Sequence, residues 1–169
     1  IYAYAGEDSL TRVLLDKDQC LPPLPPPTDT NYRVQPPSAA FFADCCNEFW
    51  WLSTYVAKGL WRKEILYAKK HLDQHLSEML VTMLAWQVGI DTDFSVSVGK
   101  CGKYLQRYLA PACWQALLAT YADASYDGTW SALWAACDLF RQTAQSVAAH
   151  FGYTYAQQDD DRVTAYLHH

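Results

Sequence analysis

Two carboxylates, Asp44 and Glu48, are the only charged residues between Ala39 and Ala57, in a stretch otherwise dominated by Phe, Trp, Cys, Ala, Leu and Val. Their four-residue spacing puts both on one face of a helix, and Trp51 and Tyr55 continue that face at further helical steps. Like charges in aromatic surroundings repel, which raises the proton affinity of at least one unless a cation joins them. Such a stripe suits a polyamine or a polycationic sugar. The plainer alternative is that both acids pair with Lys or Arg from neighbouring helices.

The basic candidates are Lys58, with Arg62 and Lys63 just beyond it, and the pair Lys100 and Lys103 around Gly99 and Gly102. Lysine meets phosphate as a mobile point charge, and glycine allows backbone N–H groups to approach it. The run Ser97-Val98-Gly99-Lys100-Cys101-Gly102-Lys103 is not a P-loop, because it lacks the GxxxxGK[ST] spacing and a preceding parallel strand. Lysines at helix ends also serve ordinary dipole and solubility roles. His71 and His75 share a helical face, but Leu72 stands where a HExxH site needs Glu, so zinc is discounted and no metal ligands are assigned. Asp138 and Arg141 read as an i,i+3 ion pair, and Asp159-Asp160-Asp161 as a solvated helix start.

These groups need a scaffold. From Ser38, an N-cap directly after Pro37, a helix is expected to about Lys58, stopping at Gly59. A second is expected from Trp61 to Val88. After a loop over 91–100 come short helices at 103–109 and 112–121, then long ones at Tyr126–Phe151 and Gln157–Leu167. Leu133, Ala136, Phe140, Ala144 and Val147 recur at helical spacing. The expected fold class is mainly α, a helical bundle. Ahead of it, Arg12-Val13-Leu14-Leu15 reads as a short strand, and residues 21–37, holding all but one of the 8 prolines, as a linker. The domain reading is therefore a residual end of another domain at 1–20, the linker at 21–37 and a helical substrate-binding domain at 38–169.

Composition narrows the partners. A net charge of −5 and the lack of a basic patch argue against nucleic acid and favour a cationic ligand. The 6 cysteines follow no disulfide-scaffold or zinc-ribbon spacing and read as reduced thiols in a cytoplasmic protein. No stretch of roughly twenty apolar residues lacks charges, so no membrane partner is expected.

The run Cys45-Cys46-Asn47-Glu48-Phe49-Trp50-Trp51, then Ser53-Thr54-Tyr55-Val56 and Lys58-Gly59-Leu60, resembles the aminoglycoside (streptomycin) 6-adenylyltransferase family. Arg62 with Glu64-Ile65-Leu66, Trp86 with Gly89, Gly99-Lys100 with Lys103, Thr120-Tyr121, Trp130 and Leu139-Phe140-Arg141 extend the likeness in order over nearly the whole chain. The resemblance implies transfer of AMP from ATP to a hydroxyl of a streptomycin-type aminoglycoside, and hence antibiotic resistance. It also implies an N-terminal nucleotidyltransferase domain with a Gly-Ser motif and three acidic Mg²⁺ ligands on strands. No such motif precedes residues 21–37, so Mg²⁺ is expected on a missing domain, which becomes a partner, and the isolated chain is expected to be inactive. On this reading Glu48 is the general base or a drug ligand. Asp44, Trp50, Trp51 and Tyr55 shape the cationic sugar site, and Lys58, Lys100 and Lys103 steady the triphosphate. Two other classes compete: an RNA-cleaving helical toxin using Arg162 and His168, and a non-catalytic ligand-binding module.

Overall fold

Ser38 starts the helical body as its position after Pro37 predicts: its backbone is extended (ψ 159°) and its Oγ accepts the Phe41 N–H at 3.1 Å. The computed structural model describes residues 6–168, so part of the expected 1–20 segment, and His169, lie outside the described residues. Helix α1, Ala39–Trp61, buries Phe42, Cys45, Cys46, Phe49, Trp50, Val56 and Leu60. That inner stripe is what holds a helix of this length in place.

Gly59 does not end α1. A Cβ there would lie 3.0 Å from the Ala68 nitrogen and 2.9 Å from the Tyr67 ring, so the missing side chain is what lets α2, Ile65–Lys70, pack against α1. The chain reverses instead at Lys63, whose φ is +62°. The expected single helix over 61–88 is likewise divided. After α2 comes a π-helical turn, His71–Leu76, and then α3, Ser77–Asp91. The widened turn keeps Leu72 and Leu76 in the core, and such turns often mark functional segments. Gly89 also lies inside a helix rather than past its end, because the Phe94 ring occupies the place of its Cβ.

Beyond a loop with 3₁₀ turns at Lys100–Gly102 and Leu105–Arg107, α4 (Pro111–Leu118) opens on a proline whose missing N–H costs nothing there. Helices α5, Tyr126–Phe151, and α6, Gln157–Leu167, have the bounds the sequence predicts. Gly152 takes the left-handed conformation that stops α5, at φ +69°. Leu133, Ala136, Phe140, Ala144 and Val147 are all fully buried. Helix α1 packs on α3, α5 and α6, and the Phe49 and Phe140 rings stack in the centre with centroids 3.7 Å apart.

The mainly helical class holds, but the N-terminal expectations need correction. Among the described residues there is no strand: Val13, Leu14 and Leu15 are 41%, 90% and 71% exposed and have no partner edge to pair with. The proline-rich stretch is extended, yet it is not a free spacer. Val34 donates to the Val96 carbonyl at 3.0 Å, the Tyr153 hydroxyl donates to the Pro37 carbonyl at 2.8 Å, and Thr30–Tyr32 forms a 3₁₀ turn. Once backbone donors find acceptors on the helical body, the segment becomes a strap along it.

Candidate functional site

Helix α1 has an inner and an outer face, and the sequence-predicted site residues divide between them. Asp44 and Glu48 are exposed. The expectation that they are crowded within aromatic surroundings is therefore corrected: the inner stripe turns both to water. Among the described residues neither pairs with a cation, so the ion-pair alternative fails as well. Rings flank them along the same face. Trp51 is 56% exposed and meets Tyr55 edge-on at 5.5 Å; Tyr55 meets His71 at 5.2 Å, and His71 lies 4.5 Å from Tyr67 and 5.5 Å from His75. Burial, then the charges of His75 and Lys70, hold His71 below the ordinary imidazole value, and its Nδ1 is enclosed without a partner.

Trp50 belongs to the inner face. It is 2% exposed, and its Nε1 donates to the Tyr155 hydroxyl at 3.2 Å, which donates to Asp160 at 2.9 Å. Arg141 closes the network with a two-pronged bond to Asp160, at 2.6 and 2.7 Å, and lies 5.4 Å from the Trp50 ring. Asp160 is not the solvated helix start that three consecutive aspartates suggest. It is 1% exposed and fully occupied, with Thr164 donating at 3.0 Å. The expected Asp138–Arg141 pair forms at 2.8 Å but is the outer of two contacts. Burial and the bond to Asp160 push the Tyr155 hydroxyl far up, which keeps it a donor. Cys45, Cys46 and Cys137 are pushed up to about 12 by burial, and all six cysteines are free thiols.

Two cavities gather candidate residues, and only the first lies against α1. One, of about 500 Å³, lies between α1 and α6 and is lined by Asn47, Trp50, Trp51 and Thr54 on one wall and Thr154, Asp159 and Arg162 on the other. Trp51 thus forms a ridge between this cleft and the Tyr55–His71 rings, while Asp44, Glu48 and Tyr55 lie outside the cleft lining. The second, of about 450 Å³, gathers Lys100, Lys103 and Arg107. Arg107 and Lys103 both lie over the Tyr104 ring, at 4.1 and 4.9 Å. Its one acid, Asp29, is engaged by Arg33 at 3.2 Å, and among the described residues the three cations have no carboxylate partner. Such a cluster stands out in a chain of net charge −5, and its charge complements an anion. Lys58 does not join it; its Nζ lies 5.9 Å from the Tyr55 ring.

Arg107 escaped the sequence reading, although its three-residue spacing from Tyr104 was a signal. Asp159 and Arg162 escaped it as cleft residues because nothing local marks which face of α6 meets α1. Arg162 lines the α1–α6 cleft, and His168 stacks on Trp134 at 4.5 Å and lines a different cavity. Among the described residues no three His, Cys, Asp or Glu side chains converge as metal ligands. Nor is any helix among them long and apolar enough to cross a membrane.

A family model described as streptomycin adenylyltransferase matches residues 1–169. The chain is 40% identical over 157 residues to an aminoglycoside 6-adenylyltransferase of Bacillus subtilis (strain 168), covering 93% of this chain and 55% of the relative. A protein of the same name from Campylobacter jejuni is also 40% identical, over 93% of this chain and 54% of its own length. A crystal structure of an aminoglycoside 6-adenyltransferase from Bacillus subtilis superposes with a TM-score of 0.75 at 38% identity, over 83% of this chain and 53% of that one. The chain spans about half the length of the curated relatives it matches.

Proposed function

We propose, from the premise that this chain belongs to the streptomycin adenylyltransferase family, that it forms the helical half of an enzyme that adenylylates streptomycin-type aminoglycosides and so confers resistance. The observation that carries this reading is the family match over the whole chain. The site agrees with it: exposed carboxylates beside the exposed Trp51 and half-buried Tyr55 rings for a cationic sugar, and a separate cavity where, among the described residues, three cations have no carboxylate partner, for the phosphates of ATP.

In the proposed reaction a drug hydroxyl oxygen attacks the α-phosphorus of ATP, the bond to the β-phosphate oxygen breaks, and pyrophosphate leaves. Glu48 takes the hydroxyl proton as the attack proceeds, since a sugar hydroxyl is a poor nucleophile at neutral pH. Asp44, four residues away on the same exposed face, attracts the ammonium or guanidinium groups of the drug, while Trp51 and Tyr55 offer it ring faces. Trp50 acts from beneath, as support for that face. Lys100 and Lys103, joined by Arg107, steady the phosphates, and Lys58 keeps a lesser role at the end of α1. Mg²⁺, which in this chemistry neutralises charge on the phosphates, is held by residues other than those described, on a nucleotidyltransferase domain that acts as partner. The 169-residue chain alone accordingly transfers no AMP.

The test is Glu48→Gln in the full-length protein, which keeps shape and removes basicity. Turnover at saturating drug and ATP is expected to fall about a hundredfold to ten-thousandfold with ATP binding retained. Turnover within a factor of about three would place the base elsewhere. Asp44→Asn is expected to raise the drug KM more than it lowers kcat.

A further inference from the structure

The cleft between α1 and α6 has a wall, Asp159 and Arg162 on α6, that the adenylyl-transfer chemistry does not use. Its α1 wall carries Trp51, a large indole left 56% exposed, flanked by the short polar side chains of Asn47 and Thr54. Its α6 wall carries Asp159 and Arg162, whose charged groups stand 3.6 Å apart and cancel. An apolar ring face bordered by one acceptor and one multiple donor, with no net charge, is poorly matched to a polycation. It is well matched to a hydroxyl-rich ring, whose C–H face packs on the indole while its hydroxyls donate to the carboxylate and accept from the guanidinium. Asp160, next to Asp159, is clamped from behind by Arg141, Tyr155 and Thr164, which fixes the backbone of α6 that carries Asp159 and Arg162. The cleft's volume of about 500 Å³ falls within the range of small-molecule sites.

We propose that this cleft seats a second, hydroxyl-rich sugar ring of the aminoglycoside, with Asp159 and Arg162 as specificity residues and Trp51 as the ridge over which the ligand bends. Aminoglycosides are cyclitol and sugar rings joined by glycosidic bonds, so a drug whose reacting ring lies over Glu48 must place its remaining rings on one side of Trp51. The other side is filled by the ring of Tyr55. The inference rests on the aminoglycoside reading for the identity of the ligand, while the cleft itself is given by geometry alone.

Calorimetric titration of the full-length protein with streptomycin, and separately with its isolated guanidino-cyclitol ring, streptidine, tests it. Asp159→Asn and Arg162→Ala are expected to weaken streptomycin by at least about fivefold each and to leave streptidine within about twofold, with unchanged melting temperature. Streptomycin affinity within about twofold of the parent in both variants overturns the proposal, as does a parallel loss of streptidine, which would put the cyclitol in the cleft. A parent protein that binds neither probe overturns it too. If Glu48→Gln leaves turnover intact while the α6 variants still weaken streptomycin selectively, the catalytic reading fails and this one stands.

Discussion

Trp50 and Trp51 are adjacent in the chain and opposite in circumstance. Trp50 is sealed at 2% exposure, stacked edge-on against Phe49 and tied through Tyr155 to the Asp160–Arg141 pair. Trp51 stands 56% exposed on a ridge with Asp44 and Glu48 on its own face of α1. A rotation of roughly 100° per residue is all that separates them. Helix α1 thus divides its labour: one face carries stability through satisfied buried polar groups, and the other presents chemistry to water with little stake in the fold.

Mutations on the two faces should separate cleanly. The largest effect is expected at Asp160→Leu, which strands the Arg141 guanidinium and the Tyr155 hydroxyl together; urea denaturation should show a loss of about 3 kcal/mol. A loss under about 1 kcal/mol would mean that water replaces the carboxylate freely and the inner face is not sealed. Next, Tyr155→Phe keeps the ring and removes the hydroxyl between Trp50 and Asp160, for an expected cost of about 1–2 kcal/mol.

The His71 effect is smaller and pH-bound. Its folded value lies below the ordinary imidazole value of 6.5, so the unfolded chain binds the proton more readily. Its contribution to stability is fully present above about pH 6.5 and is lost as the pH falls from there through the lowered folded value. Melting temperatures measured down through this window should fall less steeply for His71→Gln than for the parent. Equal slopes would show that the proton finds a partner at the enclosed Nδ1. The smallest effect on the fold is expected at Trp51→Ala, within about 0.5 kcal/mol, although the same change should reduce the quenching of indole fluorescence by drug. A cost near that of Tyr155→Phe would erase the distinction between the faces.

Much of this division was legible in the residues. The period of Phe42, Cys45, Phe49, Val56 and Leu60 fixes which face of α1 is apolar, and Ser38, Ser125 and Gly152 fix helix ends by capping chemistry that needs no distant partner. The unusual pair of acids in α1, and Lys100 with Lys103, stood out by type and spacing alone. Local patterns could not give what depends on approach from another element. Gly59 and Gly89 look like helix stops until the Ala68 backbone and the Phe94 ring are seen occupying the space where a Cβ would go. Three consecutive aspartates look solvated until Arg141, 19 residues away in sequence, is found gripping the middle one. Asp44 and Glu48 look crowded in a list of aromatic neighbours, yet only packing says that Phe42, Phe49 and Trp50 turn to the far side of the helix. The sequence by itself determined the mainly helical class, the bounds of α5 and α6, the apolar faces and the identity of the chemistry-bearing residues, because propensity, capping and period are local. Tertiary structure alone decided which charges are buried and paired, which cations share a cavity and which tryptophan meets water, because burial and electrostatics are set by whatever surface arrives opposite.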